Sequence, residues 1–531
     1  MVIDRTDGTG GYMKYRETED DKKLRKKFTA SMDHAYLRQL GVKTGTFRGL
    51  SPFNLEMTYP ITAIAGKNGS GKSSVLALAC CAFHNGDHGF KMPRRALPYY
   101  TFKDFFIRHR DDPSQKEVRV VYSIAHNNWT QSARLPEGVG VGVQARHKKA
   151  NGRWNDYASR VERNVIYLGI ERVVPHFERS QSRSYSAIFK DVPAKGWEEK
   201  VAKTVGDILG KTYTKFRYVH HARYSLPVVE CDGVVYSGFH MGAGESALFE
   251  IFSTIYECGA SSLVAIDEME LGLHTHAQIK FINCLKALCK SMHIQVICTT
   301  HSRDILAELP PDARFFLERI GGKTRLTPNI SPDFAFSKMA HTNSREVTLF
   351  VEDDVASVLV SAALPSAVRA RVAIVAVGSA SAIARQLAAA YMRKDERHFQ
   401  AIFDGDQRKA ASTNLAHARN MAETPGGDFD NWVDLRFDYL PGETWTESWI
   451  MEKARECLGP LSIALGATEG ELAAIIEWSV QAGKHSEFVE AARHLGLSRA
   501  ACLQHFSHVV ATALPAEFDV LRAAVNSALD A

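Results

Sequence analysis

Hydrophobic and polar positions along the chain fall into short apolar runs separated by longer amphipathic ones, the pattern of strands followed by helices. Tyr36 to Met57 reads as short strands with Phe47-Arg48-Gly49-Leu50 as the turn between them. Ile61 to Ala65 is a continuous apolar run suited to a buried strand, and Ser74 to Ala82 has helix-forming composition. Residues 85–236 yield only strand-like pieces, Val118 to Ile124, Val165 to Leu168 and Leu226 to Val229, joined by polar, Gly-rich connections such as Pro136 to Gly142. No sustained heptad repeat runs through this region, which argues against a long coiled-coil arm.

Regular alternation returns after Tyr236. A helix is expected over Ser246 to Tyr256, a strand over Leu263 to Ile266, a helix over Gln278 to Lys290 and a strand over Ile294 to Thr300. A second block begins near Arg345, with strands Val347 to Val351, Arg371 to Val377 and His398 to Phe403. Helices to Leu364 and from Ala380 to Tyr391 separate them, and Ser331 to Thr342 reads as the linker between the blocks. From about Glu443 onward the chain is helical and Ala-rich. The class is α/β: a first domain over 1–340 with an insertion at about 85–236, a parallel α/β domain over 345–450, and a helical region over 451–531.

At 531 residues the chain is too long for one core, so more than one domain is expected. No stretch approaches the ~20 apolar residues of a membrane helix, and the polar start, with Asp4, Arg5 and Asp7, lacks a signal-peptide core. These features predict a cytoplasmic protein with no membrane partner. Nine cysteines without a C-x-x-C pair predict reduced core thiols rather than a zinc site. The formal charge of +5 permits a nucleic-acid partner without requiring one. Two basic stretches are candidates for a phosphate backbone: Lys22 to Lys27, and Arg146 to Arg163 with Lys148, Lys149, Arg153 and Arg160 interleaved with Trp154 and Tyr157. A solvated basic face is the alternative for each.

Gly66-Lys67-Asn68-Gly69-Ser70-Gly71-Lys72-Ser73 matches G-x-x-x-x-G-K-[ST] in full, between an apolar strand and a helix. Gly66, Asn68, Gly69, Ser70, Gly71, Lys72, Ser73 and Ser74 are therefore candidate ATP contacts. The glycines let N–H groups curl round phosphates, Lys72 adds a point charge and Ser73 offers a hydroxyl to Mg²⁺. Leu263 to Glu268 delivers two carboxylates to a strand end: Asp267 for Mg²⁺ and Glu268 to orient and deprotonate the attacking water. His301 ends the next strand within Thr299-Thr300-His301-Ser302, where it can contact a γ-phosphate.

These stretches, with Met241 to Glu245 and Glu270 to His274 between them, resemble in order the ATP-binding-cassette ATPases. The resemblance implies that Met241 to Glu245 stands at the family's L-S-G-G-Q signature, with Gly242 replacing serine. Gly242, Gly244 and Glu245 would then face the ATP of an opposite protomer, which implies a homodimer or higher oligomer. It also implies that Glu270 to His274 is the loop crossing between the two sites and that His301 is the switch histidine. The family's glutamine loop has no counterpart: Tyr99 to Phe106, the nearest candidate, contains no Gln.

In the second block Glu352 closes one strand, and Asp404 and Asp406 close another with one glycine between them. Ends of parallel strands share one edge, so these carboxylates can converge on Mg²⁺ or Mn²⁺, hard ions that prefer oxygen ligands. Paired metals there would clamp the oxygens of a phosphodiester displacement. With Gly378 after the second strand, the arrangement resembles the Toprim domain of topoisomerases, primases and OLD-family nucleases. The resemblance assigns Glu352, Asp404 and Asp406 as metal ligands and catalytic residues, with Asp353, Asp354 and Lys409 as weaker candidates. Asp353 departs from the glycine that often follows the family's glutamate.

An ATP-binding-cassette head before a Toprim unit resembles the OLD family over about Leu37 to Trp449. That resemblance implies an ATP-regulated, metal-dependent nuclease acting on DNA, often in antiviral defence. The alternative is an ATPase sensor or scaffold whose Toprim unit is degenerate and which regulates a separate nuclease or toxin subunit. A transporter ATPase fits poorly, because such heads rarely carry a second metal-ligand domain.

Overall fold

The continuous apolar runs of the first block become the middle of a parallel sheet, because only a strand covered on both faces tolerates an unbroken apolar side-chain set. The structure is a computed structural model that describes residues 15–530 except 87–88, 94, 108, 110, 112–116, 149–153, 155–159, 180–187, 222–223, 341–344, 394–397 and 423–424. The chain divides into two units, Met1–Asn343 and Ser344–Ala531.

The strands of the first unit are β1 (Tyr36–Thr44), β2 (Phe53–Glu56), β3 (Ile61–Ala65), β4 (Val118–His126), β5 (Gly140–Lys148), β6 (Val165–Leu168), β7 (Lys190–Asp191), β8 (Tyr213–His221), β9 (Tyr224–Cys231), β10 (Val234–Ser237), β11 (Leu263–Ile266), β12 (Gln295–Thr299), β13 (Arg314–Ile320) and β14 (Lys323–Pro328). The central sheet has the order β14-β13-β3-β12-β11-β6. All its strands run parallel except β14, and β3, β11 and β12 are buried along their whole length. Sheet β2-β1-β4-β5 and the helix Lys72–Cys80 share a core with one face of the central sheet; sheet β10-β9-β8-β7 and the helices Glu198–Leu209, Ala243–Cys258 and Thr275–Met292 share a core with the other.

Two boundaries differ from expectation. Residues 85–236 do not form a separate insertion: β4 and β5 extend the sheet begun by β1, β6 pairs in parallel with β11, and β7 to β10 make the third sheet. Their partners lie far away in sequence, so local patterning shows the strands but not where they belong. The stretch read as a linker, 331–342, instead holds the helix Pro332–Ala340, whose Phe334 and Ala335 are buried in the first unit's core.

The second unit carries β15 (Val347–Val351), β16 (Val372–Ala376), β17 (His398–Phe403) and β18 (Phe437–Tyr439) in the order β16-β15-β17-β18, all parallel. Successive side chains point to opposite faces, so Val347, Leu349 and Val351 enter one core and Phe350 the other. The expected helical tail, 451–531, is not a separate region. Leu461, Leu472, Ile476, Phe488, Phe506 and Val510 share the core of β15 and the helix Asp354–Ala363. A parallel sheet must be covered on both faces, and the C-terminal helices supply the second cover. The nine cysteines are all unpaired. No helix among the described residues is long and apolar enough to cross a membrane.

Candidate functional site

The order β3-β12-β11 sets three carboxyl ends side by side, and each carries one part of the expected nucleotide chemistry. After β3 comes the phosphate loop, with φ of 153° at Gly66, 76° at Gly69 and 104° at Gly71. A Cβ at Gly66 would lie 2.2 Å from the Leu317 carbonyl oxygen, so the tight turn out of the strand excludes any side chain there. The helix Lys72–Cys80 begins at Gly71 without a side-chain cap, leaving its first N–H groups directed into the loop. Ser70 Oγ is buried with no protein partner. Lys72 Nζ donates to the carbonyls of Gly66 at 2.7 Å and Lys67 at 3.2 Å. Burial lowers its pKa, opposed by Glu268, Asp267 and Glu270. Unpaired donors around a buried ammonium fit a triphosphate. Asn68, Gly69 and Ser73 are exposed, and Ser74 is half-buried.

After β11, Asp267 is buried and accepts from the Thr299 hydroxyl at 2.5 Å, while that hydroxyl accepts from the Glu268 N–H at 2.7 Å. Glu268 has φ +47°, a left-handed conformation costly for a non-glycine residue. After β12, the His301 N–H donates to Glu270 Oε1 at 2.6 Å, and His301 Nε2 is buried without a protein partner. Burial, then Lys72, lowers the pKa of His301, which keeps its ring neutral near neutral pH. Lys72 and His301 thus each lie within the electrostatic influence of Asp267, Glu268 and Glu270.

Sequence reasoning missed Arg172. It follows β6, is buried, and donates to the carbonyls of Gly169 at 2.8 Å, Asp267 at 2.7 Å and Glu268 at 2.7 Å. This guanidinium fixes the backbone that carries both carboxylates, and nothing in its local sequence marks it. Arg172→Ala removes the donor of these carbonyls and is expected to cost about 3 kcal/mol of stability in urea unfolding. ATP turnover should fall with it, and Arg172→Lys should recover only part of either.

Met241 to Glu245 passes into the helix Ala243–Cys258 with Gly242 as its N-cap. Gly244 and Gly272, the latter at φ +77°, are in backbone contact: a Cβ on Gly244 would lie 2.0 Å from the Gly272 oxygen. The two loops expected to face a second protomer are therefore locked together within one chain. Glu245 departs from its expected role as an ATP contact. Its buried carboxylate accepts from the hydroxyls of Tyr213 and Tyr236, the latter at 2.7 Å, and from Lys211 Nζ at 3.2 Å. These donors lie on or beside β8 and β10, so the side chain anchors the helix internally. In the Tyr99 to Phe106 stretch, the Tyr100 hydroxyl accepts from the Tyr167 N–H at 3.2 Å.

Of the basic stretches, Arg146 to Arg163 proves largely internal. Arg146, Arg160 and Arg163 are buried, and Arg163 donates to Ala35 O, Ser261 O and Gln295 Oε1. Trp154 stacks on Phe102 with ring centroids 3.8 Å apart. Lys149, Arg153 and Tyr157 lie outside the described residues. These guanidiniums donate to carbonyl oxygens inside the first unit, so their charges are directed into the core rather than toward a nucleic acid. Lys22, Lys23, Lys26 and Lys27, in contrast, are exposed on the helix Glu19–Ala30.

In the second unit, Glu352 Oε1 accepts from the Asp404 N–H at 3.1 Å, and the Glu352 carbonyl from the Gly378 N–H at 2.7 Å. Burial, and then the Glu352 charge, push the Asp404 carboxyl up to about 7. Burial raises Glu352 as well, with Asp406 adding to it against the Asp404 N–H. Asp404 Oδ1 is buried without a protein partner. Asp406 lies 3.8 Å from Lys484 Nζ. The donors are carboxylate oxygens of the kind Mg²⁺ and Mn²⁺ take. Among the described residues, however, no three His, Cys, Asp or Glu side chains are grouped as ligands of one ion. The expected three-carboxylate set is therefore not drawn together: Glu352 pairs with the Asp404 backbone while Asp406 leans toward Lys484. Asp353 caps the helix Asp354–Ala363 through the Ala356 N–H, Asp354 pairs with Arg499, and Lys409 with Glu443.

Lys484 was also missed, since it lies in the helical C-terminal region. Its turn has φ +93° at Gly483 and +67° at His485, and the His485 ring meets buried Glu447 at 2.9 Å.

Residues 232–307 match the family model described as "AAA domain, putative AbiEii toxin, Type IV TA system". The first unit thus contains an AAA-type ATPase domain, which includes the acid pair and His301. Among solved structures, the SMC head domain from Thermotoga maritima is similar at 15% identity and TM-score 0.34, over 55% of this chain and 98% of its own. An Smc head domain with an extended coiled coil, bound to the C-terminal domain of ScpA derived from Pyrococcus furiosus, aligns at 12% identity and TM-score 0.35, over 58% and 99%. No curated protein matches the sequence.

Proposed function

We propose that the chain is an ATPase whose catalytic site is completed by a second copy, and that its nucleotide state controls cation-dependent cleavage of DNA at Glu352, Asp404 and Asp406. The observation that carries the ATPase reading is the convergence of Lys72, Asp267, Glu268 and His301 at three neighbouring strand ends. The triphosphate lies on the uncapped helix start, with Lys72 leaving the Gly66 and Lys67 carbonyls for the phosphate oxygens. Ser73 and Asp267 would hold Mg²⁺, which supplies charge neutralisation. Glu268 accepts a proton from water as the water oxygen bonds to the γ-phosphorus and the bond to the β-phosphate oxygen breaks, releasing ADP. The neutral His301 offers Nε2 to the γ-phosphate, steadied by Glu270 through its own N–H. Gly242 and Gly244 of the other copy close the site with a helix N-terminus. An antiviral role belongs to this reading.

In the second unit the same carboxylates would hold Mg²⁺ or Mn²⁺, which would polarise a phosphodiester. One observation favours a second reading, a sensor or scaffold acting through a separate effector subunit: the three carboxylates are not grouped as a ligand set. Incubating plasmid DNA with purified protein, with and without ATP and Mn²⁺, separates the two. Nicking that is lost in Asp404→Ala while ATP turnover persists supports cleavage by this chain. Intact plasmid beside active ATP turnover supports the scaffold.

A further inference from the structure

The strand order sets the direction of a nucleotide on the phosphate loop. Asp267, Glu268 and His301 follow β11 and β12, on one side of β3, so the γ-phosphate of a triphosphate held after β3 points to that side and its nucleoside leaves on the other, toward β13. Two pieces of chain flank the loop there. β13 pairs in parallel with β3 through Phe316 and Ala65, and its Leu317 oxygen would lie 2.2 Å from a Cβ at Gly66. The turn between β1 and β2 is the second piece: Leu50 Cδ2 would lie 2.6 Å from a Cβ at Gly71. That turn is stapled to β14, where the N–H groups of Ser51 and Thr324 each donate to the other residue's hydroxyl, at 2.8 and 2.6 Å.

Arg319 follows Leu317 by two residues and so leaves β13 on the same face, beyond the contact with the loop. Its guanidinium packs on Gly49, at φ +80°, where a Cβ would lie 2.8 Å from Nη1 and 3.2 Å from Cζ. Arg319 is exposed, and among the described residues its guanidinium meets no acceptor. The adjacent Arg48 is committed: it donates to the Ile107 carbonyl at 2.9 Å and lies over the Phe106 ring, 5.3 Å from the centroid. Arg319 therefore offers an unspent planar cation, supported by backbone, on the nucleoside side of the loop.

We propose that Arg319 stacks on the base of the bound triphosphate and selects purines, whose fused rings cover a guanidinium more fully than a pyrimidine does. The direction of the phosphate chain in this proposal rests on the ATPase reading above. Calorimetric titration of the full chain with ATP, CTP and inorganic tripolyphosphate, each with Mg²⁺, tests it. The unaltered chain should bind ATP more tightly than CTP. Arg319→Ala should weaken ATP about tenfold and leave tripolyphosphate within about twofold. Arg319→Tyr, an uncharged stacking plane, should keep ATP within about threefold of the unaltered chain. Unchanged ATP binding in Arg319→Ala, ATP binding as weak in Arg319→Tyr as in Arg319→Ala, or equal affinity for ATP and CTP overturns the proposal. A matching loss of tripolyphosphate also overturns it, by making Arg319 a phosphate contact. All of these leave the ATPase reading standing. An unaltered chain that binds neither ATP nor tripolyphosphate removes that reading and the proposal together.

Discussion

Glu268→Gln is expected to lower ATP turnover by about 10²–10⁴-fold, the usual contribution of a positioned general base, while ATP binding stays near that of the unaltered chain. Glutamine has the same shape and keeps the backbone bonds. The Glu268 N–H still meets Thr299 Oγ1, and its carbonyl still meets Arg172. What disappears is a proton acceptor held in a left-handed conformation whose strain is on the order of 1–3 kcal/mol. Such strain persists only where surrounding contacts impose it, and here Arg172 and Thr299 do so from β6 and β12. Turnover measured at saturating ATP, beside nucleotide binding by fluorescence, checks both halves.

Gly244→Ala is expected to cost about 1–3 kcal/mol of stability and most of the ATP turnover, whereas Gly242→Ala should be close to neutral for folding. The two positions are separated by Ala243 and differ in one respect. A Cβ at 244 meets backbone, the Gly272 oxygen at 2.0 Å and its carbonyl carbon at 2.7 Å, and backbone cannot rotate away. A Cβ at 242 meets nothing within 4 Å. Relief at 244 therefore moves the Gly272 loop, and with it Glu270, which fixes the His301 N–H. Thermal unfolding of both variants, with turnover recorded on the same preparations, separates the packing effect from the chemical one.

The candidate nucleotide site could be outlined from the sequence because its parts are local. The phosphate loop is eight contiguous residues, and the acid pair and His301 each follow a short apolar run that forms a buried strand. What the sequence hid depends on long-range contacts. Arg163 reads as part of a basic surface until its bonds to Ala35, Ser261 and Gln295 place it in the core. Arg172 reads as an ordinary charged turn residue until its bonds to the Asp267 and Glu268 carbonyls are seen. Glu245 was assigned outward by its place in a motif, but Tyr213 and Tyr236, on strands that local patterning left unplaced, turn it inward. In the second unit the strand ends were readable, whereas Lys484 reaches Asp406 from a helical stretch with no chemical signature. The C-terminal helices resemble a tail in composition because an Ala-rich amphipathic pattern does not say which surface it covers.

The claim that a second copy completes the site is tested most directly by mixing two inactive variants. Lys72→Ala disables its own phosphate loop and keeps its glycine loop. Gly242→Glu keeps the phosphate loop but sets a carboxylate where the other copy's γ-phosphate would lie; the open space at Gly242 and the favourable field at a helix N-terminus leave its fold intact. Each variant alone should be nearly inactive, and an equimolar mixture should regain a substantial part of the wild-type ATP turnover, because a mixed pair holds one intact site. A mixture as inactive as its parents, or full turnover by Gly242→Glu alone, would contradict the composite site.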